Sequence, residues 1–119
     1  MLFLEYPPCS TCKKAKSWLD EHNLSYTDRH IKEENPTYEE LKYWLEISGL
    51  PIKKFFNTSG LLYKSLNLKD KLPTMTTEQQ LQLLSTDGML VKRPIVITDD
   101  NQVLVGFKQA EWESVLTAK

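Results

Sequence analysis

Leu2-Phe3-Leu4-Glu5-Tyr6-Pro7-Pro8-Cys9-Ser10-Thr11-Cys12-Lys13-Lys14-Ala15 stands at the start of the chain. Leu2 to Tyr6 is a short, mostly apolar run stopped by two prolines, the pattern of a buried strand. A helix follows at once, capped by Ser10 or Thr11. Ala15, Trp18, Leu19 and His22 recur at helical spacing, while Lys13, Lys14, Lys16 and Ser17 fill the other face. Asn23 stops that helix. Ser25 to Ile31 suits a second strand, polar enough for a sheet edge. Strand, helix and strand in so short a span form a βαβ unit.

Further along, the pattern turns helical. Thr37 and Glu40 make a capping box, with Leu41, Trp44, Leu45 and Ser48 on one face and Gly49 beyond the end. An apolar turn at Phe55-Phe56 leads into Asn57-Thr58-Ser59-Gly60, a tight turn or part of a substrate floor. Leu61 to Leu66 reads as a short helix. Thr76 and Gln79 form a second capping box, opening a helix through Leu81, Leu83 and Leu84 to Gly88. Pro94 to Thr98 is a buried strand, Asp99-Asp100-Asn101 a hairpin turn, and Gln102 to Val105 the returning strand. A last helix begins near Lys108 and carries Trp112, Val115 and Leu116. The order β-α-β, helices, β-β-α is that of a thioredoxin-like α/β fold: a small mixed sheet with a helical insertion at about 35–90, in one domain spanning 1–119.

Composition agrees with a folded domain. The 119 residues are 40% hydrophobic and 26% charged, with a formal net charge of −1. That balance gives no general pull toward nucleic acid or an anionic membrane. No run approaches a membrane span, and the N-terminus lacks the features of a signal peptide, so a cytoplasmic protein is expected. In a reducing compartment two cysteines read as catalytic or metal-binding before they read as a structural disulfide. Zinc needs about four ligands and there is no second cysteine pair, so no metal is expected. Haem attachment would need His at position 13, which is Lys13. A phosphatase loop of the Cys-x5-Arg type would need Arg at position 15, which is Ala15.

Cys9 and Cys12 instead fit thiol–disulfide exchange, two inert buried thiols being the plain alternative. A thiol at a helix N-terminus faces unpaired N–H groups and the positive end of the helix dipole, which favours the nucleophilic thiolate. Cys12, one turn further in, lies on the same face and can resolve a mixed disulfide formed at Cys9. Arg93-Pro94 precedes the third strand, and an X-Pro bond there suits a tight, cis connection. Thioredoxin-like folds set such a proline beside the active cysteine, which aims the always-charged fork of Arg93 at Cys9 or at an anion held there. A surface salt bridge is its bland reading. His22 reads as a core or boundary residue on the apolar face of the first helix, and His30 as a surface residue. Trp18, Trp44 and Trp112 read as core.

Three segments together, Tyr6 to Ala15, Lys53 to Gly60 and Arg93-Pro94-Ile95, resemble the arsenate reductase-like ArsC/Spx family along the full length. The resemblance implies that Cys9 is the nucleophile, Arg93 an oxyanion-binding arginine and Pro94 its cis proline. It further implies Ser10, Thr11 and Asn57 around a bound anion. Family reductases attack arsenate and rely on glutathione with glutaredoxin; no cofactor is bound, and the reductant here would be that pair or thioredoxin. The substrate implied is a small oxyanion, or a protein or low-molecular-weight disulfide. Those reductases hold the anion with three arginines. This chain has only Arg29 and Arg93, and Asn57 and Gly106 align with the other two positions. Two lost charge-assisted contacts cost about 3–6 kcal/mol of anion binding, which argues against efficient arsenate reduction. The Spx branch implies a different role: a redox-switched transcription regulator that docks on the RNA polymerase α subunit. Those regulators carry a basic tail after the last helix. This sequence ends at Ala118-Lys119, about where that helix is expected to end, and the enzyme is the leading expectation.

Overall fold

A computed structural model describes residues 1–117. Ala118 and Lys119, expected at the end of the last helix and of the domain, lie outside the described residues. Four strands, β1 (Leu2–Glu5), β2 (Thr27–His30), β3 (Ile95–Ile97) and β4 (Val103–Val105), form one mixed sheet in the order β2-β1-β3-β4. β1 pairs parallel with β2, Leu2 opposite Thr27, and antiparallel with β3, Leu4 opposite Ile95. β3 and β4 are a hairpin. Helices α1 (Ser10–Glu21) and α2 (Tyr38–Ser48) follow the first two strands; α3 (Leu61–Ser65), α4 (Leu68–Lys71) and α5 (Thr77–Leu84) complete the insertion, and α6 (Gln109–Leu116) closes the chain. The fold is thioredoxin-like, as the element order required.

The apolar run of β1 is explained by burial on both faces. Successive strand residues point to opposite sides of a sheet. Leu4 and Ile95 face a core built with Leu41, Trp44, Phe55, Phe56, Leu81 and Leu84. Phe3, Val96 and Leu104 face a second core against Ala15, Trp18, Leu19 and Trp112. Trp112 stands edge-on to Phe3 and Trp18, with centroids 6.4 and 6.0 Å away, and donates its indole N–H to Gly106 O at 3.0 Å. Strand β2 is polar because it is an edge, as its composition suggested.

Both capping boxes form. Thr37 and Glu40, and Thr76 and Gln79, exchange side-chain and backbone hydrogen bonds reciprocally. Gly49 adopts a left-handed conformation at φ 67° to end α2. The cap of α1 differs from expectation: neither Ser10 nor Thr11 caps it, because Cys9 itself takes the extended N-cap conformation (φ −73°, ψ 125°). A turn through the prolines, closed by Cys9 N–H to Tyr6 O at 2.9 Å, swings the chain round one residue earlier than the serine. His22 also departs from a core role. It is exposed beyond the end of α1, its ring stacked on Trp18 at 4.0 Å and its Nδ1 2.8 Å from Trp18 O. α4 and the short 3-10 turns Leu72–Thr74 and Gly88–Leu90 were not anticipated. Among the described residues no helix is long and apolar enough to cross a membrane.

Candidate functional site

The turn between β1 and α1 brings both cysteines to the end of the sheet as free thiols, Cys9 half-buried and Cys12 buried. Their environments push them apart. Burial alone would raise Cys9. The Cys12 N–H, the Cys12 thiol, the Arg93 guanidinium and the Thr11 N–H outweigh it, so Cys9 is held below the ordinary thiol value. Cys12 is pushed up to about 12, mainly by burial, then by its hydrogen bond to Cys9 and that neighbour's charge, against the Tyr6 N–H and Arg93, which pull it down. Of the two sulfurs, Cys9 is therefore the one that ionises first and Cys12 the one that keeps its proton. That division follows from geometry: one sulfur sits at the helix mouth, the other one turn inside.

Arg93 reaches this pair from the neighbouring strand, at the same end of the sheet, ahead of β3 across a cis bond to the buried Pro94. Its Cζ lies 5.0 Å from the centroid of the Tyr6 ring, a cation–π contact that orients the fork. Its Nη1 is buried without a hydrogen-bond partner among the described residues. A buried, unpaired guanidinium N–H is costly and marks where an anion is wanted. Arg29, by contrast, is spent. Its fork takes both Glu40 carboxylate oxygens, at 2.7 and 2.8 Å, and its Nε bonds Glu34 O at 2.8 Å.

The structure thus brings Cys9, Cys12 and Arg93 together. Ser10 and Thr11 lie exposed on the first turn of α1. Asn57 is buried and locked into its own turn: its backbone N–H bonds Leu90 O at 2.8 Å, and its Oδ1 lies 3.4 Å from Ser59 Oγ. A Cβ at Gly60 would stand 2.6 Å from Asn57 Nδ2, so the glycine packs directly against the Asn57 amide within this turn. Gly106 offers no side chain and holds φ 77°, with its N–H on Pro94 O at 2.8 Å. Sequence reading missed Glu5, a charged residue 2% exposed at the end of β1, and its neighbours Lys16 and Asp28. A lone acid closing an apolar strand just before the cysteines was the available signal.

A thioredoxin-like fold with an ionisable thiol pair at the mouth of α1, under an arginine carried on a cis-proline connection, defines a class of thiol-bearing proteins. The ArsC family model matches residues 4–115, and the chain belongs to that family. A Bacteroides fragilis protein described as ArsC family related is 64% identical, with a TM-score of 0.92 over 95% of this chain and 94% of that one. A Streptococcus mutans protein described as a candidate arsenate reductase is 43% identical, with a TM-score of 0.84 and 91% of each chain covered. The global transcriptional regulator Spx of Staphylococcus epidermidis is 32% identical over 95% of this chain and 84% of its own. The family thus holds both reductase-like proteins and regulators.

Proposed function

We propose that this chain is a cytoplasmic thiol-dependent oxidoreductase in which Cys9 is the nucleophile and Cys12 the resolving thiol. The observation that carries the reading is the opposite displacement of the two sulfurs within one helical turn: an attacking thiol whose ionisation is favoured, beside a partner that keeps its proton. Cys9 attacks a disulfide or the central atom of a small oxyanion; Cys12 then displaces the adduct and leaves a Cys9–Cys12 disulfide. Arg93 stabilises the thiolate and directs its spare N–H at the incoming anion, with Ser10, Thr11, Asn57 and Pro94 bounding the site. Glutathione with glutaredoxin, or thioredoxin, regenerates the dithiol.

Arsenate is the weaker substrate on this reading. One guanidinium serves the site, because Arg29 is engaged by Glu40 and Gly106 has no side chain. A low-molecular-weight or protein disulfide makes no such demand.

The Spx relative supports a second reading, a regulator whose disulfide state governs docking on the RNA polymerase α subunit. Alkylation rates measured across pH on Cys12→Ser and on Cys12→Ser with Arg93→Ala test the enzyme reading. Expected is an inflection below the ordinary free-thiol value of about 8.5 that rises when Arg93 is removed. An inflection at the free value, unmoved by Arg93→Ala, overturns it. Redox-dependent retention of polymerase, without disulfide turnover, would transfer the assignment to the regulator.

A further inference from the structure

Glu5 ends β1 with its side chain on the same face as Phe3, toward α1. Its Oε2 is buried and lacks a hydrogen-bond partner among the described residues. Lys16 Nζ stands 3.4 Å from that oxygen and 2.8 Å from Asp28 Oδ2, so one ammonium bridges two carboxyl groups. The charged groups that act on Glu5 are Lys16 from α1 and Asp28 from β2, and His30 stands opposite it in the parallel register. On its other side β3 pairs Ile95 with Leu4, so that the register runs on from Ile95 to Pro94 and Arg93 at the level of Glu5. Burial, then the hydrogen bond to Asp28 and that group's charge, raise Glu5 to about 7 against the pull of Lys16. The carboxyl is therefore half-protonated at neutral pH and exchanges a proton readily in either direction.

Cys12 needs such a neighbour. Once Cys9 is tied up in a mixed disulfide it can no longer take the Cys12 proton, and burial, the largest cause of the upward shift of Cys12, still disfavours its thiolate. The Cys12 sulfur accepts the backbone N–H of Tyr6, the residue bonded to Glu5. Backbone and hydrogen-bond dimensions then set it within about 7 Å of Glu5 Cβ. Lys16, one turn beyond Cys12, draws the carboxyl to that same helix face.

We propose that Glu5 is the internal proton acceptor for Cys12 in the resolving step, positioned by Lys16 and Asp28. The inference rests on the resolving role proposed for Cys12. As Cys12 Sγ attacks Cys9 Sγ, its proton passes to Glu5, directly or through one water. The Cys9–substrate sulfur bond breaks, and its electron pair leaves on the substrate thiolate. The two cysteines are oxidised to a disulfide and the substrate sulfur is reduced.

Stopped-flow reaction with dithio-bis-nitrobenzoate separates the steps. The first coloured thiolate reports attack by Cys9, and the second reports closure by Cys12. Replacing Glu5 with Gln is expected to lower the ratio of second to first rate about 100-fold near neutrality, the lower range for a positioned base. It also removes the inflection of closure near pH 7. Asp28→Asn removes its charge from beside Glu5 and moves the inflection down; Lys16→Met moves it up. A merely structural carboxyl would not give opposite displacements. Closure within about twofold of wild type and with an unchanged pH profile in Glu5→Gln overturns the inference. So does displacement in one direction, or none, by the other two variants; they alone decide if Glu5→Gln does not fold. Release of a single thiolate by the wild type would instead refute the resolving role itself.

Discussion

Replacing Glu5 by glutamine substitutes a neutral amide for an acid whose ionisation the fold disfavours. Each tenfold change in proton affinity is worth about 1.36 kcal/mol. The rise of Glu5 from an ordinary 4.5 to about 7 therefore corresponds to about 3 kcal/mol. The sign follows from linkage: between those two values the folded chain binds more protons than the unfolded one, so stability falls as pH rises. This contribution is full below 4.5 and gone above about 7. Asp28, held low by Glu5 and Lys16 against its burial, acts in the opposite sense but only as pH falls below the ordinary carboxylate range. Urea unfolding of wild type and Glu5→Gln at about pH 4.5 and about pH 8 isolates the effect, since other titrating groups cancel in the difference. The two proteins should start close together in acid. Wild type should then lose about 3 kcal/mol more than the variant on going to alkaline pH. Parallel losses would refute the argument, because they would mean that Glu5 ionises in the folded chain as easily as in the unfolded one.

Two further outcomes test the fold that carries the site. A Cβ at Gly88 would meet Ile31 O at 1.8 Å, so Gly88→Ala should cost at least about 3 kcal/mol in urea unfolding. Thr37→Ala breaks the box at the start of α2, frees the Glu40 that Arg29 grips, and should cost about 1–2 kcal/mol by the same measurement.

The sequence was most informative where a single element explains its own residues. The apolar β1 run, both capping boxes, the Gly49 stop and the hairpin at Asp99-Asp100-Asn101 are local patterns, and each formed. The cap of α1 was misread because Ser10 has good cap chemistry, whereas the position is decided by the preceding proline turn. α4 spans only Leu68–Lys71 and runs into the turn at Leu72–Thr74, too short for any period to register. Glu5 was opaque for another reason: its partners Lys16 and Asp28 come from a helix and a strand laid beside it only by folding. The grip of Arg29 on Glu40 was equally non-local, and it decides that Arg93 stands alone at the thiols.

The segment that delivers Arg93 is sewn to a distant stretch of chain. Phe56 bridges Val91, while Lys92 N–H bonds Phe55 O and Asn57 N–H bonds Leu90 O, each at 2.8 Å. The guanidinium thus inherits its station from the Phe-Phe-Asn turn rather than from the strand it precedes. Loosen that seam, and the Cys9 sulfur loses its counter-charge although the substitution lies in a distant stretch of chain.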